Sequence, residues 1–109
     1  MRVVVYEDEE GCRPFDEWFD ALPAEYAAKV LPALARIEAG LTGGLKSVGE
    51  GVQEWRIDWG PGLRIYVAFD GQRLVLLLGG GSKRRQQADI TAAKRRWADY
   101  QKRRTTRRK

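Results

Sequence analysis

Between Val52 and Leu78 the chain carries three β-type runs in close succession, and they constrain the fold more than any other stretch. "VQEWRIDW" alternates, with Trp55, Ile57 and Trp59 on one face and Glu54, Arg56 and Asp58 on the other. "LRIYVAF" alternates again, setting Leu63, Ile65, Val67 and Phe69 against Arg64 and Tyr66. "RLVLLLG" is apolar throughout, as a strand covered on both faces must be. Only "GPG" and a turn at Asp70-Gly71 separate the runs, so they predict an antiparallel hairpin sheet. With Gly60-Pro61-Gly62 as the loop, Trp59 faces Leu63, Ile57 faces Ile65 and Trp55 faces Val67. That register pairs Arg56 with Tyr66 and Asp58 with Arg64 on an outer face of cations and a phenol.

The flanks read as helices around this core. "RVVVY" at residues 2–6 predicts an N-terminal strand. "RPFDEWFDAL" predicts a short helix with Pro14 at its first position and Phe15, Trp18, Phe19 and Leu22 on one side. A second helix is predicted from Pro23, with Tyr26, Val30, Leu34, Ile37 and Leu41 at helical spacing. Pro32 is expected to kink or interrupt it, and Gly40 to stop it. "TGGLKSVGEGV" reads as a glycine-rich loop carrying Lys46. A last helix is predicted from Gln86 to about Gln101, burying Ile90, Ala93, Trp97 and Tyr100. The expected architecture is α/β (α+β), one domain over residues 1–101 followed by a basic, disordered tail at 102–109.

Charge is divided sharply. Residues 1–82 carry a net −5 and residues 83–109 a net +10, which points to a polyanionic partner, most simply nucleic acid. Cys12 is the only cysteine and histidine is absent, so an intramolecular disulfide, a thiolate metal cluster and a histidine base are all excluded. No metal site and no cofactor is expected. No segment is long and apolar enough to span a membrane, and the cytoplasm is the expected location.

The residues that could carry chemistry are cations. Arg56, Arg64 and Tyr66 share the polar sheet face, Lys46 lies on the loop entering it, and Lys83 follows the triple glycine of "GGGSKRRQQ". Guanidinium groups pair bidentately with phosphate oxygens, and a lysine amid other cations can act as a neutral base. Tyr66 could orient a nucleophile or stack on a base. Plainer readings stand beside these: Arg64 paired with Asp58 across strands, Tyr66 as a sheet residue, Lys46 as an ordinary loop lysine. The glycines do not form a P-loop, because the G-x-x-x-x-G-K-[ST] spacing is absent. They read as room for a ligand beside the backbone, with Lys83 on a scissile phosphate, Arg84 and Arg85 on flanking phosphates, and Gln86 or Gln87 opening a helix whose amides favour an anion.

"PFDEWFDAL", "LKSVGEGVQEWRI", "GPGLRIYV" and "LLLGGGSKRRQQADI", in this order, resemble the RelE/ParE superfamily of bacterial toxins, in particular its HigB-like branch of addiction-module killer proteins. The resemblance runs to about residue 100 and is most specific from Lys46 to Ile90. It implies a RelE-like compact fold: an N-terminal strand, a helical hairpin, a three-stranded antiparallel hairpin sheet and a C-terminal helix. It implies a type II toxin with a cognate antitoxin, often of helix-turn-helix type, acting on mRNA on the ribosome. The implied activity is metal-independent endoribonuclease cleavage leaving a 2′,3′-cyclic phosphate. By motif, Lys46, Arg56, Arg64, Tyr66 and Lys83 are the implied catalytic residues, and Arg84, Arg85, Gln86 and Gln87 the RNA-binding ones. Two other classes fit the same charge: a non-enzymatic, ParE-like DNA gyrase inhibitor, and an inactive module that only binds antitoxin or nucleic acid.

Overall fold

The computed structural model describes residues 1–107. Its elements are β1 (Arg2–Val5), α1 (Pro14–Asp20), α2 (Ala24–Glu38), β2 (Leu45–Gly49), β3 (Val52–Ile57), β4 (Leu63–Asp70), β5 (Leu74–Ser82), a 3-10 turn (Lys83–Arg85) and α3 (Gln86–Arg107). The strands form one five-stranded sheet in the order β1-β5-β4-β3-β2. β1 runs parallel to β5, and the other pairings are antiparallel. The mixed α+β architecture expected from the sequence is therefore present, with one strand more than the hairpin count gave.

That extra strand is β2. Lys46 lies on it, not in a loop, because Glu50 and Gly51 both adopt positive φ and turn the chain tightly back into β3. Two consecutive positive φ values are what a two-residue type I′ turn requires, and Glu-Gly disguises a signal usually written Asn-Gly or Asp-Gly.

Both sheet faces are covered. On one, α1 and α2 bring Phe15, Val30, Ala33 and Ile37 onto Trp55, Leu63, Ile65, Val67, Val75 and Leu77. On the other, α3 lays Ile90, Ala93 and Trp97 on Val52, Tyr66, Ala68, Leu76 and Leu78. β5 meets both cores, which explains its uninterrupted apolar run. α2 runs through Pro32 without a break; the carbonyl left without a donor belongs to Ala28, which is exposed and open to water. It ends as expected at Gly40, where φ is +83° and the amides of Gly40 and Leu41 donate to the carbonyls of Ile37 and Arg36. α3 continues past Gln101 to Arg107, so the helix takes up much of the stretch expected to be a disordered tail. Of that tail, Arg108 and Lys109 lie outside the described residues.

The β3–β4 register is offset by two from the expected one: Ile57 faces Leu63, Trp55 faces Ile65 and Gln53 faces Val67. The loop spans residues 58–62, closed by Trp59 N–H donating to Ile57 O at 2.9 Å and Gly62 N–H to Trp59 O at 3.0 Å. An even offset leaves every side chain on its predicted face. Trp59 leaves the ladder and meets the Tyr26 ring edge-on at 5.0 Å.

The triple glycine makes room for side chains of the helices on both faces of β5. A methyl at Gly79 would sit 2.6 Å from the Arg96 guanidinium, one at Gly80 would overlap the Trp18 indole, and one at Gly81 would overlap the Asp89 carboxylate. Gly80→Ala is therefore expected to destabilise by about 1–3 kcal/mol, since the ring must shift within a packed layer. A thermal melt lowered by less than a degree would show that Trp18 yields freely.

Candidate functional site

Moving along β3 toward the 58–62 loop, the residues facing α3 run Val52, Glu54, Arg56; along β4 they run Ala68, Tyr66, Arg64. Polarity rises along both strands, and α3 begins beside the polar end. The register aligns two rows: Lys46, Glu54, Tyr66 and Gly79, then Arg56, Arg64 and Gly81.

Glu54 organises this end. Its carboxylate is 1% exposed. Arg56 Nε donates to Oε1 at 2.8 Å and Gln86 Nε2 donates to Oε2 at 3.0 Å. Arg64 Nε lies 3.7 Å from Oε2, an ion pair too long to be a hydrogen bond, and Arg64 Nη1 donates to Gly62 O at 3.3 Å. Lys83 N–H donates to the same carbonyl at 2.8 Å. Gly62 thus stands between Arg64 and Lys83: a methyl there would lie 3.3 Å from Arg64 Nη1 and 3.4 Å from Lys83 Cβ.

Arg56, Arg64, Tyr66 and Gln86 converge on Glu54, and Lys83 joins them through Gly62. Lys46 is placed beside Glu54 by register and is exposed on the edge strand. Arg84, Arg85 and Gln87 are exposed on the turn and first helical residues. Two expectations change. Arg64 is not on an outer face with Asp58; it is buried, because α3 covers that face, and it pairs with Glu54. Tyr66 is fully buried in the α3 core, so its ring is closed to stacking on a base. Gln86 spends its side-chain amide on Glu54.

The electrostatics follow from these contacts. Burial pushes the Glu54 pKa up, but hydrogen bonding from Arg56 and Gln86, with the Tyr66 hydroxyl close by, outweighs it and holds the carboxyl below the usual range. Among the described residues the buried Tyr66 hydroxyl has no partner in hydrogen-bonding geometry, and burial together with the Glu54 charge raises its pKa above that of an ordinary phenol. Asp89 is raised by burial, against the opposing pull of Arg85 and Arg96. A carboxyl depressed in the folded state adds stability above its unfolded pKa, about 4.3 for glutamate, and loses it as pH falls through the folded value. Asp89 acts in the opposite sense, its cost relieved on acidification. Glu54→Gln is accordingly expected to flatten the loss of stability below about pH 4.3. An acid-unfolding limb identical to wild type would contradict this.

Glu54 escaped the sequence reading because it looked like one more polar residue on a solvated face. The available signal was its place in the alternation, two residues from Arg56 and on the face of Tyr66. Among the described residues no group of three or more His, Cys, Asp or Glu could hold a metal ion. No helix among them is long and apolar enough to cross a membrane.

Residues 17–98, which include the whole of this site, match the family described as phage-derived protein Gp49-like (DUF891). A protein of Haemophilus influenzae, described as uncharacterized, is 42% identical over 81 residues, covering 73% of this chain and 82% of the relative. The chain thus belongs to the phage-derived Gp49-like family, which is associated with the RelE/HigB-like toxins of toxin–antitoxin systems.

Proposed function

We propose that this chain is the toxin of a type II toxin–antitoxin pair and stops translation in the cytoplasm by cutting mRNA on the ribosome, and that a cognate antitoxin, of helix-turn-helix type, holds it inactive. The observation that carries the reading is the arrangement around Glu54: exposed Arg56 and Lys83 flank a buried, pre-positioned Arg64. Fixed cations at the edge of a low-dielectric layer stabilise charge that develops on a phosphate, without reorganising during the reaction. In the proposed step the ribose 2′-oxygen attacks the adjacent phosphorus and the P–O5′ bond breaks. The 2′-hydroxyl proton goes to the exposed Lys46 amine, and the 5′-oxygen takes a proton from water and leaves as a hydroxyl. The product is a 2′,3′-cyclic phosphate. Arg56 and Lys83 hold the phosphate oxygens, Arg64 adds charge from beneath, and Tyr66 acts through Glu54 as a positioning residue. Arg84, Arg85 and Gln87 line the approach for flanking phosphates.

The test is induction of the chain without antitoxin, with methionine and thymidine incorporation followed separately and mRNA ends mapped by primer extension. Early loss of methionine incorporation with new mRNA ends supports the reading. Early loss of thymidine incorporation with intact mRNA would instead identify a gyrase inhibitor, and no effect on either an inactive binding module.

A further inference from the structure

A second group of side chains surrounds the free end of β5, beside the Glu54 network but outside it. β1 pairs with Leu74–Leu77, so beyond Leu77 the outer edge of β5 has no strand neighbour among the described residues. A cleft of about 260 Å³ opens there, bounded by Trp18, Tyr26, Gly80, Gly81, Arg85 and Asp89. Trp18 and Asp89 come up from opposite faces into the space that Gly80 and Gly81 leave. Tyr26 is braced edge-on by Trp59. The Asp89 Oδ2 atom is buried and finds no hydrogen-bond partner among the described residues. A buried acceptor left unmade costs stability, so its retention beside an aromatic cleft points to a donor that arrives with a ligand.

We propose that this cleft receives a nucleobase of the RNA strand whose phosphate is held by Arg56 and Lys83, with guanine the best fit; the proposal rests on the RNA-cutting reading above. A carboxylate only accepts, and guanine alone offers two adjacent donors, N1–H and N2–H, on one edge. The other bases set an acceptor against the carboxylate. Trp18 supplies the face on which an unstacked base can lie. The cleft adjoins the site directly, since Ser82 on its wall pairs with Leu63 and Lys83 bonds to Gly62. A cationic side chain of a partner protein would also suit a carboxylate, but exposed Arg85 on the cleft wall, with exposed Lys83 and Arg84 preceding it in the chain, repels a cation and draws a polyanion.

The test is genome-wide mapping of new mRNA 5′ ends after induction of wild type and Asp89→Asn. Wild-type cuts should carry guanine at one fixed distance from the cleaved bond, and in Asp89→Asn that enrichment should fall roughly tenfold while cuts persist, the discrimination one bidentate base contact supplies. The substitution is near-isosteric and removes the charge from a carboxylate whose Oδ2 atom is buried without a hydrogen-bond partner among the described residues, so the variant should melt no lower than wild type, which separates misfolding from lost recognition. Wild-type cuts without base bias, or a bias intact in Asp89→Asn, would overturn the proposal and leave the cleavage reading standing. An intact bias with weakened antitoxin binding would likewise overturn it, by assigning the cleft to the protein partner. Absence of any cuts in wild type would overturn the cleavage reading itself.

Discussion

Glu54→Ala is expected to cost about 3–5 kcal/mol of folding stability, the range for breaking a buried ion pair by removing one partner. The carboxylate neutralises Arg64, whose side chain is 7% exposed, and receives hydrogen bonds from Arg56 and Gln86. Deleting it strands a buried guanidinium whose Nε already lacks a hydrogen-bond partner among the described residues, and frees the Gln86 amide. Such a loss is a large share of the roughly 5–15 kcal/mol that holds a domain together. Arg56→Ala removes the pair's other cation, but that side chain is 50% exposed, so the cost should be small. Urea unfolding of the two variants beside wild type separates the cases: the midpoint should fall far for Glu54→Ala and little for Arg56→Ala. A Glu54→Ala unfolding free energy within about 1 kcal/mol of wild type would mean the network carries no structural weight.

Lys83→Ala is expected to behave in the opposite way, losing activity without losing stability. The residue is exposed, and the contact that places it, N–H to Gly62 O, belongs to the backbone and survives the substitution. Stability should stay within about 0.5 kcal/mol. If the Lys83 ammonium meets the scissile phosphate in the transition state, cleavage should fall by about 10²–10³, as when one donor of a charge-stabilising pair is removed. Arg84→Ala combined with Arg85→Ala should instead weaken RNA binding and flatten its salt dependence, by up to about 0.7 in log–log slope per lost contact on a single strand. Primer extension on mRNA from cells expressing each variant reads the first effect, and salt titration of binding reads the second. A stable Lys83→Ala that cuts at the wild-type rate would remove this lysine from the site.

Much of this fold is written locally. The three runs from Val52 to Leu78, both N-terminal helices and the buried side of α3 could all be read from periodicity. What periodicity does not encode is which element covers a face. Arg64 and Tyr66 looked solvated because they alternate with core residues and because Arg56 and Glu54 lie on the neighbouring strand. Val52, Ala68, Leu76 and Leu78 mark the same face as a floor for Ile90, Ala93 and Trp97, but only once β5 is known to lie beside β4. The glycines show the same limit. A sequence says that a side chain is missing, and only the fold shows that Trp18, Asp89 and Arg96 take the space. The cations converging near Gly62 were legible as a set, whereas the carboxylate that holds them was not.

The parallel pairing of β1 with β5 has a consequence for how the molecule comes into being. Strands β2 to β5 follow one another through short connections, so each can pair as soon as its neighbour exists. β1 joins Arg2–Val5 to Leu74–Leu77, almost the full length of the sheet-forming chain away. Closing so long a loop is the slow and entropically costly kind of contact. Gln86, which completes the shell around Glu54, comes later still in the chain. A chain emerging from the ribosome from its N-terminus therefore cannot assemble the cationic cluster piecemeal: the first strand waits for the fifth, and the buried carboxylate waits for the last helix. Synthesis itself keeps the surface incomplete until Gln86 has been added.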